Sequence, residues 1–144
     1  PNLIDPIKRL HALNGITNVR VKNAMLEHAP SEAVASFYLH RYFPEGSVLE
    51  TEFSESRIEV PVRSFERVVE EFKPTVLICD IEGGESELLA GADLMGFRAV
   101  IVEMHPKVLS QSKIDKIYAN VKRFGLETKP DLSATQVVAF ERQT

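Results

Sequence analysis

Residues 75–105 read TVLICDIEGGESELLAGADLMGFRAVIVEMH, and this stretch leaves the chain few folds to choose from. Two short apolar runs, Val76–Cys79 and residues 100–102, flank a segment with helical character. The first run stops at Asp80 and Glu82, the second at Glu103 and His105. A short apolar run without alternation reads as a strand buried on both faces, as in a parallel sheet. Polar groups where such a strand stops stand at the sheet's carboxyl edge, where open α/β sheets bind ligands.

The flanking sequence extends this pattern. Leu3, Ile4, Ile7, Leu10 and Leu13 recur at helical spacing, and Asn14-Gly15 closes that helix. Residues 18–21 alternate and predict a strand with Val19 and Val21 on one face, ending at Asn23-Ala24-Met25. A β-rich insertion is expected around residues 30–62, with two or three antiparallel strands and a mobile loop over 47–56. Ser64 caps a helix with an apolar stripe at Phe65, Val68, Val69 and Phe72, which Pro74 ends. Ser110 or Ser112 opens the next helix, with Ile114, Ile117, Tyr118, Val121 and Phe124 inward and Gly125 past its end. Residues 126–129 and 136–140 are strands joined too tightly for a helical crossover, so they pair antiparallel. Alternating helices and strands predict one α/β domain over residues 1–144, its sheet mostly parallel with helices on both faces.

Charge and composition narrow the function. The net charge is −4 with acids and bases interspersed, so no basic stripe invites nucleic acid. No run is long enough to span a membrane and no signal peptide is visible. The single Cys79 lies in an apolar run and permits no intrachain disulfide, which suits a reducing, cytoplasmic setting. The chain opens at Pro1 and enters helical periodicity at once, which predicts further residues upstream.

The chemistry concentrates at the two strand ends. Asp80 and Glu82 sit two apart, and Gly83-Gly84 lets the backbone turn sharply and approach a ligand. Glu85 and Glu87 fall in the first turn of the next helix and oppose its dipole. Asp80 is then a general base or ligand acceptor, or it caps the turn. Glu103 and His105 either supply a proton acceptor or merely position the loop before Pro106. If the two strands are neighbours, Asp80, Glu82, Glu103 and His105 converge on one rim. Oxygen ligands with one imidazole suit a divalent cation, yet no dedicated metal spacing is present, so no metal is expected. Asn23 bonds a base edge or caps its turn, and His11, His28 and His40 read as surface or strand residues. No phosphate loop, Ser/His/Asp order or zinc-type cysteine cluster appears.

CDIEGGESELLAGA followed by VIVEMHP, with IEVPVRSFERVV before them, resembles the C-terminal two-thirds of FkbM-type S-adenosylmethionine-dependent methyltransferases. The opening PNLIDPIKRLHALNGITNVRVKNAML is similar to the segment after that family's ribose-binding acid. The resemblance implies a Rossmann-like methyltransferase sheet with a C-terminal antiparallel pair, and methyl transfer to a hydroxyl of a sugar or natural product. It implies S-adenosylmethionine as cofactor, with Asn2 beside the ribose, Asn23 and Ala24 near the adenine, and Asp80 near the methionine part and the acceptor. Asp80, His105 and Glu103 become the catalytic candidates. Family members carry a first strand, a Gly-rich loop and a second strand ending in an acid. Those first two strands are lacking here, and in the family fold they lie between the strand at Val19 and the strand at Val76. A gap there predicts weak cofactor binding and an inactive fragment, with upstream residues or a second copy of the chain covering the exposed edges. The rival readings are a receiver-like signalling domain and a non-catalytic interaction module. The receiver lacks its acidic pair after an early strand and its later lysine.

Overall fold

The computed structural model describes residues 3–40 and 54–143. Helix α1 (Ile4–Leu13) ends as its sequence predicts, with Asn14 bonding back to Leu10 and Gly15 at φ 65°. None of its residues is buried, and its apolar positions Leu10 and Leu13 are exposed. The strand expected at residues 18–21 does not form; the chain first pairs at β1 (Met25–Glu27). Alternation favours a strand but a ladder makes one, and among the described residues only 25–27 of this region find a partner.

The insertion is a hairpin of β2 (Val34–His40) and β3 (Ser54–Ser64), paired antiparallel. Residues 47–53 of the predicted loop lie outside the described residues, and residues 54–56 already belong to β3. The far end of β3 pairs parallel with β1, Met25 opposite Val62, giving a three-stranded sheet in the order β1-β3-β2.

Helix α2 (Phe65–Phe72) begins where the Ser64 hydroxyl accepts from the Arg67 N–H at 3.2 Å, as the capping pattern predicts. It ends at Lys73 in the left-handed region. Then follow β4 (Val76–Cys79), α3 (Glu85–Leu89), β5 (Ala99–Glu103), α4 (Gln111–Arg123), β6 (Leu126–Thr128), a 3-10 turn (Pro130–Leu132) and β7 (Val137–Arg142). The second sheet runs β4-β5-β7-β6, with β4 and β5 parallel and the other two pairings antiparallel.

The fold is α/β, but one mostly parallel sheet is not what the described residues build. They form two sheets, in which three of the five strand pairings are antiparallel. The parallel character rests on two ladders, because hairpin connections in the insertion and at the C-terminus each force antiparallel neighbours. The core lies on one face of the second sheet, where Val100, Val102, Leu88, Leu89, Ile117 and Val121 are essentially inaccessible. On the opposite face Ile78 is 74% exposed, so helices do not cover both sides of β4 among the described residues.

Candidate active site at the ends of β4 and β5

Strands β4 and β5 are adjacent and parallel, Cys79 opposite Val102, so their carboxyl ends open on the same edge. Beyond β4 the chain turns through Glu82 at φ 53° and Gly83 at φ 105° before α3 begins. A left-handed Glu is uncommon, and strain of this kind concentrates at functional turns. Glycine at 83 is a packing requirement too, because a Cβ there would stand 2.6 Å from Val108 Cγ1.

His105 stands at the centre. Its Nε2 lies 3.2 Å from Glu82 Oε2 and 3.7 Å from Asp80 Oδ1, while its Nδ1 lies 2.8 Å from Glu85 Oε1. Asp80, Glu82 and His105 thus meet at the rim, with one ligating atom from each all within 4.8 Å of one another. Glu103 does not stand among them. It lies half-buried on β5 between the buried Val102 and Met104, opposite Val137. Asn23 is exposed and Ala24 half-buried in the irregular segment leading into β1. Asn2 lies outside the described residues.

Glu85 is the participant that sequence reasoning missed. Its side chain is 0% exposed, and Oε1 also accepts from the N–H groups of Gly83 at 3.2 Å and Ile81 at 3.4 Å. It therefore holds His105 and the turn after β4 together. Its role was readable from spacing: Glu85, Leu88 and Leu89 occupy one helical face, so the acid shares the face that enters the core. A carboxylate accepting two backbone N–H groups makes Nδ1 of His105 a donor and leaves Nε2 free to gain or lose a proton.

Electrostatics follow from this packing. Burial alone pushes the His105 pKa down, but the hydrogen bond and charge of Glu85, then Glu82 and Asp80, overcome it and raise the imidazole above 6.5. Burial pushes the Cys79 thiol up to about 12, with Glu85 and Asp80 adding to the effect, so it is inert at neutral pH. Among the described residues His105 is the only ion-pair partner of Asp80, Glu82 and Glu85. One imidazole facing three carboxylates, protonated or not, leaves surplus negative charge, which suits a cationic ligand.

A second polar contact ties the end of β1 to α2. His28, just past β1, pairs through Nδ1 with Glu66 in the first turn of α2, and Gly91 leaves room for the ring. Burial works against the Glu66 charge, but the Ser64 hydroxyl, its own backbone N–H and His28 outweigh it and lower the pKa to about 2. A cleft of about 350 Å³ beside Tyr118, Lys122 and Phe140 shares no residue with the rim. No helix among the described residues is long and apolar enough to cross a membrane.

Neither the curated proteins nor the solved structures compared with this chain match it. A family model does: the one described as the methyltransferase FkbM domain matches residues 7–127, which runs from within α1 into β6 and takes in the whole rim. The chain belongs to the FkbM methyltransferase family.

Proposed function

We propose that this chain takes part in S-adenosylmethionine-dependent methylation of a hydroxyl oxygen on a small-molecule acceptor, a sugar or a natural product. The observation that carries the reading is the meeting of Asp80, Glu82 and His105 at the ends of two parallel strands in a methyltransferase domain. The surplus negative charge there fits the sulfonium end of the cofactor, with Asp80 facing it and Asn23 and Ala24 serving the adenine end. The cofactor supplies an electrophilic methyl group on a sulfonium that is already a good leaving group.

What the protein adds is alignment and proton handling. Glu85 fixes the His105 ring through Nδ1, so Nε2 points at the rim in one tautomer. There His105 Nε2 or Asp80 takes the proton that the acceptor hydroxyl gives up as its oxygen receives the methyl group. Alignment of that oxygen supplies most of the rate, since the leaving group needs no acid. The homo-oligomer expected from open sheet edges is a proposal of the same standing, with equilibrium sedimentation as its check.

Methyl transfer from isotopically labelled cofactor to a panel of hydroxylated acceptors, measured with the full-length protein, tests the reading. Asp80→Asn and His105→Ala are each expected to lower turnover by about 10²- to 10⁴-fold, the range for loss of a general base. Unchanged turnover in both variants would remove the proton-handling role.

A further inference from the structure

We propose that Asp80, Glu82 and Nε2 of His105 form a binding site for a first-row divalent cation. Each residue offers one ligating atom, and the three lie within 4.8 Å of one another. The side chains of Asp80 and Glu82 are 54% and 55% exposed, so the solvent side of the site stays open to water or to an acceptor oxygen.

An independent observation lies one layer deeper. Glu85 is 0% exposed and its carboxylate is turned into the rim, Oε1 meeting His105 Nδ1 and two N–H groups of the turn. Its other oxygen, Oε2, is buried without a hydrogen-bond partner among the described residues. A fully buried, half-satisfied carboxylate is costly unless positive charge stands nearby. A carboxylate on the far nitrogen of an imidazole is the arrangement that orients metal-ligating histidines and raises their basicity. A cation on Nε2 would place lasting positive charge beside that carboxylate through the ring that Glu85 already holds.

The donor set selects the ion. Imidazole nitrogen with carboxylate oxygens suits Mn²⁺ to Zn²⁺, whereas Ca²⁺ seeks six to eight oxygens and Mg²⁺ an all-oxygen octahedron. Nε2 carries either a proton or the cation, so loading the site releases a proton and withdraws His105 from proton transfer. The cation site rests on the methyl-transfer reading only for the identity of the open-side ligand, not for its occupancy.

The test uses the whole chain, stripped with a chelator and titrated with Mn²⁺ in the absence of cofactor and acceptor. Calorimetry is expected to show one ion per chain, and NMR to show selective broadening of one of the four histidine rings. Glu82→Gln and His105→Ala should each weaken binding at least ~10-fold, and Glu85→Gln by about 10- to 100-fold, as outer partners of metal ligands do. Asp131→Asn, on the exposed 3-10 turn, should leave it unchanged. No saturable binding, broadening spread over several histidines, or full affinity in both Glu82→Gln and His105→Ala overturns the site. Where a variant misfolds, the histidine spectrum of the native chain decides alone. A chain that binds Mn²⁺ but transfers no methyl keeps the site and loses the proposed activity; one that transfers methyl in chelator and binds no Mn²⁺ does the reverse.

Discussion

At His105, three carboxylates and partial burial act on one ring with opposite signs, and the carboxylates win. The protonated ring, which donates and cannot accept, therefore persists to higher pH than in a free imidazole. Turnover measured in chelator should rise with pH through a midpoint above 6.5 and flatten where Nε2 is free. Stability moves the opposite way. The folded state holds the proton more tightly than the unfolded chain, so the contribution is fully present below about 6.5 and is lost as pH rises through the folded value. Chemical denaturation of wild type and His105→Ala across pH 5 to 9 checks this; a difference between the two that does not vary with pH would dismiss it. The turn that carries Asp80 makes a second prediction. Gly83→Ala places a Cβ 2.6 Å from Val108 at φ 105°, so it is expected to cost about 1–3 kcal/mol and to disorder the rim. Gly83→Ala with Val108→Ala should recover only the steric part, because the backbone strain remains.

At the scale of elements, α2 shows which local signals suffice. Its cap, stripe and stop are all encoded between Ser64 and Pro74, and cap and stop formed where the pattern put them, although Phe72 at the end of the stripe is exposed. Ser64→Ala is expected to destabilise the fold by about 0.5–2 kcal/mol, the usual loss for such a cap. Ser64 also donates to Glu66, whose charge then secures His28. The Glu66 pKa, depressed to about 2 from 4.5, adds stability above the unfolded value that is lost as pH falls through about 2. Acid denaturation of Ser64→Ala should accordingly begin at higher pH than that of wild type, and identical acid midpoints would detach the cap from the ion pair. Strands β4 and β5, helix α4 and the closing pair β6 and β7 were legible for the same reason as α2: periodicity and punctuation are local. The alternation at Val19 and Val21 misled because pairing is not local, and residues 25–27 found the partner instead. Glu85 was hidden by its charge, although its spacing with Leu88 and Leu89 showed the face it would take.

Across the whole molecule, two sheets share one buried centre unequally. Phe65 of α2 stacks on Phe97 at 6.2 Å, which ties the insertion's helix to the core of the second sheet. That sheet's inner face joins α3 and α4, and the buried Asn120 reinforces the joint by donating to the carbonyls of Leu89 and Ala92 at 2.7 and 2.8 Å. The outer face is different, because Ile78 on β4 stands 74% exposed. Whether the second face contributes to stability can be decided with two truncations of similar chemistry. Leu89→Ala removes atoms that are 0% exposed and leaves a cavity, so a loss of about 2–5 kcal/mol is expected. Ile78→Ala removes a side chain already mostly in water, so its loss should stay within about 0.5 kcal/mol. Urea denaturation of the chain at low concentration measures both. A loss at Ile78 approaching that at Leu89 would mean that the open face of β4 is covered in solution, and its dependence on protein concentration would identify a second copy of the chain as the cover.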